Sequence, residues 1–402
     1  MHCLVCKKLI PKNSSKKLCL QHSNSQLMFK SVNLIKSQDF SGKSPNIFVG
    51  EYGYPNVNVG ILSPPERKED AWLYDAPRFW AEQDFNKNNV ISLRSSLINS
   101  KFQAPVKVKS SRFLDLAQEV SMASKPVDID FMLYNKPTFK LNLNDITMPH
   151  GPKADLKKVI LAENPSIPKK IDKVVSDTDL KSVEAIKTLY NKDVNENDLI
   201  KLLSIGNLGI KMQRRLVPTK WSITAIHDQL GKMLIKEVKD HNSADYALYF
   251  NGYMNNYFMV MIFPDVWGYE LFETYVSENS NYTTDHEFYQ GRKTYASNCV
   301  GGYYANRLAV LEKLKQLKKQ ASVLVLRFTT PDYDTPLGVW VVSEASKKSL
   351  TSIPIKFDSK EKMLSHAKNL IKNKFNIDID IFLNNSKILS NLKSQSKLTK
   401  FF

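Results

Sequence analysis

Between Ile47 and Leu62 the chain reads IFVGEYGYPNVNVGIL, with β-branched and aromatic residues on both sides of the turn cluster Gly53-Tyr54-Pro55-Asn56. That pattern predicts a pair of strands, and folded sequence is expected to begin at Ile47. Pro64-Pro65 then breaks the chain before DAWLYDAPRFWAEQ, which reads as a short helix and a turn. Residues 111–124 (SRFLDLAQEVSMAS) carry apolar positions at helical spacing, with Ser110 or Ser111 available as N-cap. VDIDFMLY (127–134) alternates as a half-buried strand does. Residues 153–240 read as mostly helical, through DTDLKSVEAIKTLY, ENDLIKLLSIGN and the long amphipathic run WSITAIHDQLGKMLIKEVKD after Pro218. From Tyr246 to Tyr275 the pattern turns aromatic and β-prone, predicting a hairpin or meander. A helix from Tyr303 to about Lys319 follows Gly301-Gly302, and SVLVLRF is a strand. GVWVVSEASKKSL and SKEKMLSHAKNLIKNK are helix candidates, while FNIDIDIFL alternates. Strands and helices come in blocks, not as regular βαβ units, so the fold class expected is α+β. There is no internal repeat and no dinucleotide or Walker-type glycine loop.

Composition narrows the class. Hydrophobic residues are 42% and charged residues 24% of 402, which excludes a mainly disordered or fibrous chain. The net charge is +17, but residues 1–46 hold +7 and residues 347–402 hold +8, so the body between is nearly neutral. Two basic ends can hold phosphate through counterion release. The start Met1-His2-Cys3 has no apolar leader, and the most continuous apolar run, Phe258 to Phe263, is too short to cross a bilayer. No membrane partner and a cytoplasmic, reducing location are expected.

Three of four cysteines fall in the first 19 residues, as Cys3-x2-Cys6-x12-Cys19-x2-His22. Tetrahedral Zn²⁺ takes four such ligands as two close pairs on facing turns, and so short and polar a segment needs the metal in order to fold. A structural zinc finger with Cys3, Cys6, Cys19 and His22 is expected, with His2 as an alternative to His22. Cys299 is expected to be a small buried apolar residue.

The chain ends Gln395-Ser-Lys-Leu398-Thr-Lys-Phe401-Phe402. One helical turn would put Leu398, Phe401 and Phe402 on one side, and grouped aromatics at the tip of a lysine-rich tail suit another protein's pocket. The string resembles the sliding-clamp-interacting peptide Q-x-x-h-x-x-F-F. That resemblance implies a sliding clamp (PCNA) as partner, with Gln395 in a small polar pocket and Leu398, Phe401 and Phe402 in an apolar one.

A wider resemblance spans about residues 1–402. The cysteine finger, FVGEYGYPNVNVGILSPP, GIKMQRRLVPTKWSITAIHDQLG, GGYYANRLAVLEKL and the terminal peptide together resemble the archaeal Nre DNA repair proteins. In that family a cysteine often stands where His22 is here. The resemblance implies a zinc finger (1–22), a linker (23–46), N-terminal-type and C-terminal-type α+β domains (47–290 and 291–383) and a flexible basic tail (384–402). It also implies a role in repair of DNA damage.

In the body, Lys211, Arg214, Arg215, Lys220 and Trp221 place four cations and an indole within eleven residues, enough to hold a phosphate backbone and stack a base. Ser222 is the expected cap of the helix carrying His227 and Asp228. A nuclease would need carboxylates clustered on Mg²⁺ or Mn²⁺. Glu51, Asp70, Asp75, Asp128, Asp130, Asp228 and Asp285 are available, without a spacing that selects any. The leading expectation is a DNA repair factor recruited by the clamp. A clamp-tethered metal-dependent nuclease and an RNA-binding zinc protein are the alternatives.

Overall fold

The computed structural model describes residues 37–107, 110–138, 145–276 and 281–394. The finger ligands Cys3, Cys6, Cys19 and His22 lie outside the described residues, as do Gln395, Leu398, Phe401 and Phe402. The chain divides into two compact units, Met1–Leu230 with Asp334–Gly338, and Gly231–Tyr333 with Val339–Phe402. Both are mixed α+β.

The first unit is built on β1 (Asp39–Ser44), β2 (Asn46–Val49), β3 (Asn56–Ser63), β4 (Ile98–Pro105), β5 (Val127–Leu133) and β6 (Lys153–Leu161). These form one sheet in the order β1-β5-β6-β4-β3-β2, antiparallel except for β4 beside β6. The expected hairpin is β2 and β3, with Ile47 opposite Ile61 and Val49 opposite Val59. Their inward residues join Phe131 and Val159 in a core closed by Leu114, Ala117 and Val120 of the helix Arg112–Met122. Ser111 caps that helix, its Oγ accepting from Leu114 N.

Three expectations in this unit are corrected. The fold begins before Ile47, because β1 pairs with β5 along its length. Its sequence DFSGKS hides this, offering only Phe40 to the core, stacked 4.6 Å from Phe131. Residues 153–161 are strand, not helix; Ala154, Leu156 and Val159 are buried, and a register irregularity at Met132/Leu133 breaks the alternation that would announce a strand. The long helix runs Thr219–Val238, so Ser222 is internal to it. Its buried hydroxyl donates to Val217 O at 3.4 Å instead of capping.

The second unit is built on β7 (Tyr246–Tyr253), β8 (Asn256–Phe263), β9 (Gly268–Tyr275), β10 (Tyr282–Glu287), β11 (Ser322–Thr329) and β12 (Ile355–Phe357). Their order is β10-β9-β11-β8-β7-β12, and β9 and β11 are its parallel pair. Of the expected hairpin or meander, β7 and β8 are the hairpin; β9 is separated from β8 by β11, so the three strands are not a meander. Leu248, Met259, Phe272, Leu326 and Phe328 face the helices Lys360–Phe375, Asp380–Asn385 and Lys387–Ser394. Val300–Leu317 lies on the opposite face, where Tyr303 packs edge-on to Tyr269 at 5.0 Å. Arg307 and Glu287 form a fully buried ion pair there at 2.8 Å. A Cβ on Gly231 would stand 2.8 Å from Arg307 Nη2, so the guanidinium needs a glycine beside it. Cys299 is buried as expected, and burial together with nearby Glu273 pushes its thiol pKa upward.

FNIDIDIFL is not a strand. The helix Lys360–Phe375 ends at Asn376 in the left-handed region (φ 57°), and Ile377 and Ile379 alternate into the core as the chain turns into the helix Asp380–Asn385. Residues 384–394, expected as tail, are helical and docked. Glu270, fully buried on β9, accepts from Ser386 Oγ (2.5 Å), Lys387 N (3.0 Å) and Ile388 N (3.1 Å), holding the start of the last helix against the sheet. The last described residue is Ser394, one residue before the peptide 395–402.

Candidate nucleic-acid interface

The turn joining β2 and β3 meets the start of the helix Thr219–Val238. β2 is an edge strand, so amides on its outer side need partners. Val49 N donates to Thr219 Oγ1 at 2.9 Å. Lys220 Nζ pairs with Glu51 Oε1 at 3.3 Å, and the Trp221 indole lies 5.9 Å from the Tyr54 ring. The turn itself is tight: Asn56 N donates to Gly53 O at 2.8 Å, and Gly53 has φ 88°, which a side chain would strain. With the turn fixed, Tyr52 (75% exposed), Tyr54 (53%) and Trp221 (47%) stand out in solvent as a group.

The basic stretch before the helix is laid along the end of β4. Leu216 N donates to Val106 O at 2.8 Å, and Arg215 bridges antiparallel to Lys107. Lys211, Lys107 and Arg215 are exposed on this edge. Arg214 is turned inward: Nε donates to Gly209 O at 2.8 Å, and Nη2 to Val175 O at 2.7 Å and Asp177 O at 3.2 Å. Of the five predicted contacts, the structure thus places Lys211, Arg215, Lys220 and Trp221 at the surface and uses Arg214 to hold the chain.

Behind the turn is a cavity of about 170 Å³, lined by Phe48, Glu51, Tyr52, Asn99, Lys101, Lys153 and Lys220 among others. Sequence reasoning missed Asn99, Lys101 and Lys153, which sit singly in β4 and β6. The inner wall has a defined polarity. His150 Nδ1 lies 3.2 Å from Gly151 O, and Nε2 lies 3.2 Å from Asn99 Nδ2. Burial, with Lys153 and Arg94 nearby, pushes the imidazole pKa down to about 3, so the ring is neutral. A carbonyl only accepts, hence Nδ1 carries the proton and Nε2 accepts from the Asn99 amide. Asn99 Oδ1 is then left buried without a hydrogen-bond partner. Lys101 also pairs with Asp155 at 2.8 Å.

Five of the seven carboxylates considered for metal-dependent cleavage are engaged elsewhere. Asp128 and Asp130 share an outer face of β5, as expected, and are bridged by Arg67 at 3.6 and 2.7 Å. Asp75 holds buried Arg94 at 2.6 Å. Asp285 pairs with Arg292 and accepts from Asn298 N and Cys299 N, and Glu51 pairs with Lys220. Asp70 is exposed; Asp228 is half-buried beside the buried His227. Among the described residues no three His, Cys, Asp or Glu side chains gather as a metal site.

Comparison with known proteins gives matches over most of the chain. The family description "Archaeal Nre, N-terminal" matches residues 15–282, and "Archaeal Nre, C-terminal" matches residues 287–401. The chain is 35% identical to "DNA repair protein NreB" of Archaeoglobus fulgidus over 362 residues, covering 88% of this chain and 89% of that one. It is 38% identical to "DNA repair protein NreA" of Haloferax volcanii over 321 residues, covering 76% of each. It is 37% identical to "DNA repair protein NreA" of A. fulgidus over 349 residues, covering 85% and 87%. No solved structure matches.

The His150 assignment has a measurable consequence. Its folded pKa lies below the unfolded value near 6.5, so the unfolded chain binds more protons at mildly acid pH. The contribution is intact above about pH 6.5 and is lost as pH falls toward 3. Between pH 7 and 5 this site should cost about 2 kcal/mol. In urea unfolding at the two pH values, His150→Gln should lose less stability on acidification than wild type by about that amount. Identical losses would contradict a neutral, buried imidazole.

Proposed function

Because the chain belongs to the archaeal Nre family, we propose that it is a DNA repair factor that holds DNA on the first unit and reaches it through the sliding clamp. The observation that carries the DNA-binding part is the junction of the β2–β3 turn with the helix start. It sets Tyr52, Tyr54 and Trp221 in solvent beside Lys220, with Arg215, Lys211 and Lys107 along the neighbouring edge. Cations that track a backbone and aromatics that accept bases are the two components of sequence-tolerant binding to single strands. That three relatives carry the name DNA repair protein supports the same reading.

Clamp binding rests on Gln395, Leu398, Phe401 and Phe402. The docked helix ending at Ser394 supports it, because the peptide then leaves the body from a fixed point. Tethering to a clamp already on DNA raises local concentration, so modest intrinsic affinity suffices. The amino-terminal Cys3, Cys6, Cys19 and His22 would hold a structural Zn²⁺, soft thiolates and one imidazole being its usual donor set. No catalytic role is assigned; Glu51, Asp75, Asp128, Asp130 and Asp285 are bound to arginine, lysine or backbone amides.

In a pull-down with the sliding clamp of the same organism, the wild-type chain should be retained and Phe401→Ala/Phe402→Ala should lose most of that retention. Truncating paired aromatic anchors costs about 2 kcal/mol or more. Equal retention of both would remove the clamp from the account. Elemental analysis of the folded protein should find about one zinc per chain, and Cys6→Ser should abolish it. A folded protein without zinc, purified in the absence of chelators, would make the ligand set wrong.

A further inference from the structure

We propose that Glu51 is a built-in competitor for DNA: its carboxylate holds the Lys220 ammonium in the free protein and gives it up to a phosphate when a strand binds. The inference rests on the DNA-binding reading above and concerns how that face is regulated.

The first observation is where the carboxylate stands. Lys107, Lys211 and Arg215 are exposed and have no ion pair among the described residues, whereas Lys220 is paired with Glu51 at 3.3 Å. The paired cation is the one next to Trp221, so the carboxylate sits at the ring end of the face, where the phosphate of a stacked base would arrive. The second is how the two groups are held. Glu51 projects from a turn closed by Gly50 N on Asn58 O and Asn56 N on Gly53 O, both at 2.8 Å, and Lys220 from the first turn of the helix Thr219–Val238. Val49 N on Thr219 Oγ1 and the Tyr54–Trp221 contact join these elements independently, so the junction stands when the pair opens. The third is exposure. The Glu51 and Lys220 side chains are 24% and 34% exposed, and an ion pair so open to water is cheap to break. The fourth is the helix start, which favours an anion beside it but has no acidic residue in its first turn. Glu51 supplies that anion from another element, and a phosphate can replace it.

The exchange has a definite electrostatic signature. A free lysine that meets a single strand releases about 0.7 of a condensed cation. At Lys220 that gain is offset, because Glu51 loses its partner and is left facing phosphate. The free protein therefore offers Lys107, Lys211 and Arg215 as working cations and holds Lys220 in reserve. A face weakened in this way lets go of DNA readily and depends on tethering to stay bound, which suits the local concentration that a clamp would provide.

The test is fluorescence-anisotropy binding of the full chain to labelled oligodeoxythymidine over a series of salt concentrations. Glu51→Gln, which keeps the shape and removes the charge, should bind about fivefold tighter than wild type at low salt. Its log–log salt slope should steepen by about 0.7, the weight of one further phosphate contact. Glu51→Asp, which keeps the charge, should keep the wild-type slope. Lys220→Gln added to Glu51→Gln should abolish the gain. Equal or weaker binding by Glu51→Gln, with wild type still binding, overturns the inference and leaves the pair a role in alignment alone; the DNA-binding reading then stands. Tighter binding with an unchanged slope, or a gain that survives Lys220→Gln, overturns the inference too. Failure of wild type and Glu51→Gln alike to bind at low salt overturns the DNA-binding reading together with it.

Discussion

The edge of β2 is where the architecture becomes a surface with a purpose. An outermost strand must place its outward amides somewhere, and here Val49 N goes to the hydroxyl of a residue 170 positions later. That single bond brings the start of a long helix to the turn. The Glu51–Lys220 pair and the Tyr54–Trp221 contact follow from the same approach. As a partly exposed ion pair the former adds little stability, so its effect is mainly one of alignment. Without the junction, Tyr52, Tyr54, Lys220 and Trp221 would be separate features of two loops. With it Tyr52 and Lys220 line one cavity together with Asn99, and Tyr54 meets Trp221.

The second unit solves a different problem. Its sheet buries charge on one face, where Arg307 meets Glu287, and caps a helix with a buried carboxylate on the other, where Glu270 holds Ser386, Lys387 and Ile388. Pairs of this kind gain little over apolar packing but are costly to break singly, which favours one arrangement of the helices they touch. The consequence at the carboxy end is definite. The last helix, Lys387–Ser394, is held at its start by Glu270 against the sheet.

Much of the framework was legible in the sequence. The hairpin at 47–62, the hairpin at 246–263 and the long helix after Pro218 are patterned strongly enough that local signal and tertiary structure agree, whereas β9 is parted from β8 by β11. What could not be read has physical causes. β1 is polar and owes its existence to pairing with β5; β6 loses its alternation at an irregular register; Ile377 and Ile379 imitate a strand because they fill a core while leaving a helix. At the site, Arg214 and Arg215 are indistinguishable as letters, yet one bonds three backbone carbonyls and the other faces water. Asn99, His150 and Lys153 belong to no motif. Asn99 and Lys153 line one cavity only when β4 and β6 lie side by side in parallel, which no local pattern announces.

The central claim, that the turn and the helix start together form the face presented to DNA, is tested most directly by ultraviolet cross-linking to single-stranded DNA carrying 5-iodouracil, with the adducts located by mass spectrometry. The account predicts adducts on Tyr52, Tyr54 or Trp221. Adducts confined to exposed rings of the second unit, such as Tyr275 and Tyr289, with none on those three, would contradict it.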